Sequence, residues 1–230
     1  MKPLIEHLEE LRYRLIAVLV SVALFFVIGV VSSRWIIERL RHDIVVYPGI
    51  QIIVLTPLEY FVTTLKIGLF VAIILSLPVI MYQALKFLKP ALTRKEKGII
   101  SLVMPGSIIL FLAGLVFAYF IFLPLTVYFL APFSLSIGAS NMWSLNSLIT
   151  FIFITLFSTA LVFEIPLLMI VLSRLGVVTT KWLNAKRKYV YVGIFVVAAI
   201  ITPGVDIITQ IIVALPMILL YELGILLIKS

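Results

Sequence analysis

Long apolar runs separated by short polar segments dominate the pattern of hydrophobic and polar positions along this chain. Six runs are evident, at residues 15–33, 61–82, 102–124, 148–172, 189–201 and 207–228. A helix needs about 20 mostly apolar residues to cross roughly 30 Å of hydrocarbon. The runs lack the alternation of a membrane β-barrel. They therefore predict an all-α integral membrane protein with six transmembrane helices, forming a single domain over residues 1–230.

The fifth run is shorter than a normal transmembrane helix. Its length from Tyr189 to Ile201 corresponds to about 20 Å of α-helix. Two arrangements are open: two short final spans in a locally thinned bilayer, or a re-entrant hairpin over residues 189–228. We favour the two short spans.

The composition excludes a water-soluble protein. Hydrophobic residues make up 63% of the 230 positions and charged residues only 12%, against about 45–50% and about 25% in soluble domains. The chain has no cysteine, which excludes disulfides, thiolate metal sites and cysteine nucleophiles.

Basic residues accumulate in alternate connections between the runs. Arg34, Arg39 and Arg41 lie on one side of the predicted membrane. Fourteen lie on the other: Lys2, Arg12, Arg14, Lys86, Lys89, Arg94, Lys95, Lys97, Arg174, Lys181, Lys186, Arg187, Lys188 and Lys229. Because Lys and Arg favour the cytoplasmic side, both termini are predicted to be cytoplasmic. Residues 3–14 predict a short amphipathic helix on that surface.

Three charged residues fall within the apolar runs. Glu164, in Phe163-Glu164-Ile165-Pro166, lies well inside the fourth run, where a charge costs about 3 kcal/mol by insertion scales. Pro166 leaves the carbonyl of Val162 without its helical partner and predicts a kink there. Glu164 is therefore a candidate functional carboxylate, with a role in helix packing as the alternative. Glu222 and Lys66 lie nearer the ends of their runs and are predicted to reach the interface.

Glu10 and Glu96 are carboxylates within basic segments on the predicted cytoplasmic side. Each could simply pair with a neighbouring Arg or Lys. Together they could also bind two guanidinium groups through paired, charge-assisted hydrogen bonds. The sequence spacing leaves both interpretations open.

The sequence shows no sign of enzymatic chemistry. His7 and His42 are predicted on opposite sides of the membrane, and no phosphate loop or nucleophile elbow occurs. We therefore expect no catalytic residue, no metal and no cofactor. Because the basic residues are divided among short loops, we also expect no nucleic-acid partner.

The order of the motifs resembles the TatC family, the multi-spanning receptor subunits of twin-arginine protein translocases, over nearly the full chain. The matching segments are His7-Leu8-Glu9-Glu10-Leu11-Arg12, Leu55-Thr56-Pro57-Leu58-Glu59-Tyr60-Phe61, Tyr82-Gln83, Phe87, Pro90-Ala91-Leu92-Thr93, Glu96-Lys97, Phe117-Ala118-Tyr119-Phe120, Phe163-Glu164-Ile165-Pro166, Lys186-Arg187-Lys188-Tyr189, Thr202-Pro203, Asp206, Gln210, Ala214-Leu215-Pro216 and Tyr221-Glu222.

The resemblance implies a glove-shaped bundle in a prokaryotic cell membrane that binds twin-arginine signal peptides at its cytoplasmic face. It implies partners as well: TatA- and TatB-type single-span subunits, other copies of the chain and the lipid bilayer. These would export folded proteins using the proton-motive force. By motif, Glu10, Glu96, Arg12 and Phe87 would bind the signal peptide. Glu164 would face the concave side, and Asp206 and Gln210 would act at the outer tip.

An alternative function is a proton-coupled secondary transporter of a small solute, with Glu164 as the proton relay. Such proteins usually contain inverted repeats, and none is apparent in this sequence.

Overall fold

The computed structural model describes residues 4–45, 50–88, 97–136, 141–174, 176–201 and 207–229, most of which are helical. The helices are α1 (Leu4–Val45), α2 (Pro57–Leu88), α3 (Lys97–Phe117), α4 (Leu123–Ser136), α5 (Leu145–Phe163), α6 (Ile165–Arg174), α7 (Thr180–Ile201) and α8 (Ile207–Lys229). A π-helical turn, Ala118–Phe122, joins α3 to α4. Strands β1 (Ile50–Ile53) and β2 (Asn141–Ser144) form a two-stranded sheet that the sequence pattern did not predict.

The helices confirm the predicted class of all-α membrane protein. Among the residues that the structure describes, five stretches are long and apolar enough to span a bilayer: Glu9–Ile44, Pro57–Ala84, Val103–Phe129, Leu145–Arg174 and Gln210–Ile228. Each overlaps one of the predicted runs. The remaining run, residues 189–201, is the second half of α7, whose first half is polar. The thinned-bilayer arrangement of α7 and α8 stays a prediction.

The first helix is much longer than its predicted span of residues 15–33. Residues 4–14 and 34–45 continue the same helix, which has 42 residues and is about 63 Å long. Residues 4–14 are helical as predicted, but they form the start of a long helix and not a short one. Past the apolar run, Arg34 pairs with Glu38 at 3.0 Å, and a second pair four residues apart joins Arg39 to Asp43 at 3.4 Å. Such pairs support an exposed helix, so α1 continues beyond its apolar segment.

The chain forms two compact units. Unit 1 comprises Met1–Asp43, Ile52–Ile108 and Ser144–Ile149, and unit 2 comprises Ile44–Gln51, Ile109–Trp143 and Thr150–Ser230. The single domain predicted from the sequence stays a prediction, because compactness alone does not show that a part folds independently.

Within unit 1, α1 and α2 approach each other at two glycines. A Cβ atom on Gly29 would lie 2.7 Å from the carbonyl oxygen of Gly68 and 2.8 Å from its Cα. Both atoms belong to the backbone and cannot move aside as a flexible side chain could. The two helices therefore depend on glycine for a close contact of the kind that small residues allow between membrane helices.

A buried carboxylate joins the first turn of α2 to the start of α5 within unit 1. Glu59 accepts a hydrogen bond from the backbone N–H of Leu55 at 2.5 Å and another from that of Asn146 at 2.9 Å. The N–H of Asn146 belongs to the first turn of α5 and has no partner within its own helix. The side-chain oxygen of Asn146 accepts a hydrogen bond from Lys66 Nζ at 2.7 Å. Lys66, which the sequence predicted to reach the interface, therefore contacts protein.

Helix α8 provides the centre of the unit-2 core and packs against α6 and α7. Its buried side chains recur every three or four residues, which places them on one face. They are Val213, Ala214, Met217, Leu220, Tyr221 and Ile225. Because the buried side chains lie on one face, this apolar helix packs against α6 and α7 in a defined orientation.

Polar side chains also connect α7 to α8. Arg187 Nη2 lies 2.8 Å from Glu222 Oε2, and the hydroxyl of Tyr191 donates to Glu222 Oε1 at 2.6 Å. Tyr221 donates its hydroxyl proton to the carbonyl of Leu183 at 3.0 Å. Glu222 thus cross-links two helices, an interaction that the sequence did not predict.

We expect Glu59→Ala to lower the melting temperature of the detergent-solubilised protein by several degrees. The substitution leaves the backbone N–H groups of Leu55 and Asn146 without their acceptor, and Glu59→Gln should lose less because it retains one carbonyl oxygen. Thermal unfolding followed by size-exclusion fluorescence measures both variants. Glu38→Ala, which removes an exposed ion pair, is the control, and an equal shift in that variant would contradict the assignment.

Removing the Glu222 carboxylate should cost about 1–3 kcal/mol of unfolding free energy, because Arg187 and Tyr191 lose a charged partner. Glu222→Gln and Arg187→Gln are compared with the double variant in a denaturation cycle. Contacting residues couple by about 0.5–3 kcal/mol, so the two costs should not add. Lys188→Gln, next to Arg187 but exposed, should leave stability unchanged. Simple additivity of Arg187→Gln and Glu222→Gln would contradict the pairing.

Candidate functional site

An ionic cluster in unit 1 contains one of the predicted site residues, Glu10 on α1. Arg14 Nη2 bonds to Glu10 Oε1 from the next helical turn, and this order of acid before base is the favourable one. Arg14 Nη1 also makes a long 3.4 Å contact with the backbone carbonyl of Gln83 on α2. The cluster therefore joins the first turns of α1 to the last turns of α2.

Phe87 lies one helical turn beyond Gln83, on the same face of α2, and is partly buried. The structure thus brings Glu10, Arg14 and the Gln83–Phe87 face into one region of unit 1. Arg12 is exposed and lies roughly 200° around α1 from Glu10, so its side chain points away from the Glu10–Arg14 pair. Glu96 lies outside the described residues.

The geometry of this cluster suits recognition of a guanidinium group. The Glu10 side chain retains 20% of its exposure, against 12% for Arg14, so it is partly accessible from solvent, although its Oε2 atom is buried. Its carboxylate already accepts a hydrogen bond from one arginine. Because its Oε1 atom binds Arg14 and its Oε2 atom is buried, an external arginine could bind the carboxylate by replacing Arg14.

The helix is interrupted at Glu164, two residues before Pro166, where the sequence predicted a kink. Helix α5 ends at Phe163 and α6 begins at Ile165, with Glu164 in a turn between them. Its N–H donates to the carbonyl of Leu161 at 3.1 Å, and its carbonyl accepts from Leu168 at 2.9 Å. The side chain is half-buried. The carboxylate of Glu164 is therefore carried by a turn that interrupts the helix.

Gln210 acts as a bridge between two helices of unit 2. Its Nε2 donates to the backbone carbonyl of Phe195 at 2.8 Å, which links the start of α8 to the second half of α7. Asp206, the other residue predicted at the outer tip, lies outside the described residues.

Two polar residues that the sequence analysis did not single out as site candidates also prove important in the structure. Glu59 was noted only as part of a motif, although a carboxylate just after Pro57 at a predicted helix start is a known signal for capping. Arg187 was noted only for orientation and as part of a motif. Its contact with Glu222 spans 35 positions of sequence, and no local signal could have identified it.

Comparison with known proteins identifies the family. Residues 6–216 match the family model of the Sec-independent protein translocase protein TatC. The chain is 39% identical to the TatC protein of Aquifex aeolicus, covering 97% of this chain and 93% of that one. It is 34% identical to the TatCy protein of Bacillus subtilis, covering 99% and 89%.

Solved structures agree with the sequence matches. A crystal structure of the twin-arginine translocase receptor TatC superposes with a TM-score of 0.82 at 38% identity and covers 97% of this chain and 98% of its own. A second TatC crystal structure, obtained in the detergent DDM, gives a TM-score of 0.85 at 38% identity and covers 97% and 100%. The chain therefore belongs to the TatC family of Sec-independent protein translocase proteins.

Proposed function

We propose that this chain is the signal-peptide receptor subunit of a twin-arginine translocase, acting without catalysis in a prokaryotic cell membrane. Both termini would be cytoplasmic. The chain would bind twin-arginine signal peptides at that face and recruit TatA- and TatB-type single-span subunits and further copies of itself. Proton-motive force would then drive the export of folded proteins. The membership of the TatC family and the likeness to TatC receptor structures support this function.

The single observation that carries the binding site is the bond between Arg14 and Glu10. It supports Glu10 as a guanidinium acceptor that is partly accessible and lies beside the Gln83–Phe87 face of α2. We propose that Glu10 and Glu96 bind the paired arginines, while Phe87 and Arg12 contribute apolar and charged contacts. A lysine cannot reproduce the planar, two-point bonding of a guanidinium to a carboxylate.

We further propose that Glu164 acts during transport, and that Asp206 and Gln210 act at the outer tip. The break at Glu164 supports the first role, because the kink leaves Glu164 in a turn between α5 and α6. The alternative of a proton-coupled transporter has no support, since the matches described above are to translocase proteins.

Replacing Glu10 should weaken the binding of a twin-arginine peptide roughly tenfold to a hundredfold, because a charge-assisted hydrogen bond contributes about 1.5–3 kcal/mol. The measurement is fluorescence anisotropy of a labelled signal peptide with the protein in nanodiscs. Glu10→Gln is tested with the twin-arginine peptide and with its twin-lysine version. If Glu10 contacts the guanidinium, the twin-lysine peptide should respond much less to this substitution.

Glu9→Gln provides a matched control for charge. It removes the same negative charge from the same turn of α1, but Glu9 is exposed. Generic attraction between an acidic surface and a cationic peptide would weaken binding equally in both variants. Equal losses in Glu9→Gln and Glu10→Gln, or equal affinities for both peptides, would contradict the assignment of Glu10.

Glu164→Gln should leave peptide affinity unchanged while reducing transport several-fold. The amide occupies nearly the same volume but cannot ionise. Only a transport step that needs the carboxyl group should therefore become slower. Transport of a folded precursor into inverted membrane vesicles is measured beside peptide binding. Glu38→Gln, on the exposed part of α1, serves as the control. Full transport activity in Glu164→Gln would assign Glu164 to helix packing alone.

A further inference from the structure

An open apolar groove of about 570 Å³ lies within unit 2, between α7 and the α5–α6 segment. Helix α7 contributes a face with helical spacing, and the opposite wall includes Leu161 and Ile165. The α7 residues are Val190, Gly193, Ile194 and Val197. In a protein surrounded by lipid, such a groove must be filled by a hydrocarbon chain or by another apolar group.

Gly193 keeps the groove open. A Cβ atom at this position would meet no atom within 4 Å, so close helix packing does not require glycine here. Glycine inside a helix is less stable than alanine by about 1 kcal/mol. Glycine at position 193 therefore leaves space in the groove. Gly29 differs, because it lies against the backbone of Gly68.

A cationic and aromatic pair typical of the membrane interface precedes the groove residues of α7. Lys186 precedes Val190 by one turn on the same face of α7, and its Nζ lies 5.0 Å from the centre of the Tyr189 ring. The Tyr189 side chain is exposed, as interfacial tyrosines are. Arg187 is paired with Glu222, so Lys186 provides the positive charge at the mouth of the groove.

We propose that this groove binds one anionic glycerophospholipid, with an acyl chain along α7 and the phosphate beside Lys186. From Lys186 to Val197 the face is about 16 Å long, so a single alkyl chain can lie along it. A lipid phosphate would complement the charge of Lys186, which an apolar partner helix would leave unmatched.

The test is native mass spectrometry of the purified chain after equilibration with dioleoyl phosphatidylglycerol and dioleoyl phosphatidylcholine in equal amounts. The parent protein should retain one phosphatidylglycerol in preference to phosphatidylcholine. Lys186→Gln should reduce that preference about fivefold, because a basic residue near an anionic lipid contributes about 1 kcal/mol. Gly193→Leu should remove the retained lipid by filling the groove.

Each variant has a matched control on α7. Lys188→Gln removes the same charge at nearly the same depth but lies roughly 200° around the helix from Lys186. Ala199→Leu enlarges an exposed position that does not line the groove. Both controls should retain the lipid as the parent does, and unchanged thermal unfolding would show that Gly193→Leu is folded.

Three results would overturn the proposal. Equal retention of the two lipids by the parent protein would show that Lys186 does not select an anionic headgroup. Retention of phosphatidylglycerol by Gly193→Leu would place the lipid elsewhere. Loss of a co-purifying single-span protein from Gly193→Leu, with the lipid retained, would assign the groove to a partner helix. No signal peptide enters the experiment, so its outcome is independent of the proposed receptor function.

Discussion

Every backbone N–H and C=O group in hydrocarbon must find its hydrogen-bond partner within the protein. This requirement makes the apolar runs of this chain helical. It also makes helix ends energetically unfavourable in hydrocarbon, because each end leaves several backbone groups without helical partners. Two carboxylates lie at such places: Glu59 binds the N–H of Asn146 in the first turn of α5, and Glu164 lies where α5 gives way to α6.

The same requirement explains why so few charged residues determine so much of the packing. An acidic side chain in an apolar bundle must be paired or bonded to backbone donors. Glu222 binds Arg187 and Tyr191, and Glu59 binds two backbone N–H groups. Apolar side chains can slide past one another in lipid, whereas these bonds hold only in one register. The few carboxylates therefore fix how particular helices meet.

The sequence predicted what depends on local pattern and failed where distant residues meet. The apolar runs predicted the membrane spans, and Pro166 predicted the break in the helix at Glu164. The charged residues after position 33 were interpreted as a loop, although the four-residue spacing of Arg34 and Glu38 favours a helix. At the candidate site, the pairing of Glu10 with Arg14 follows from the same spacing. The contact of Arg14 with the Gln83 carbonyl joins positions 69 apart and has no signature in sequence.

The short apolar half of α7 belongs to a helix that is bonded to α8 at two places. An apolar segment of about 20 Å in roughly 30 Å of hydrocarbon leaves a mismatch near 10 Å, which costs a few kcal/mol at fractions of a kcal/mol per ångström. The bonds of Glu222 are of similar size and lie toward the basic start of α7, while Gln210 binds the carbonyl of Phe195 farther along. Because α8 is attached at both places, α7 need not span the bilayer alone. Its polar first half can then stay at the interface, where Tyr189 and Lys186 lie together.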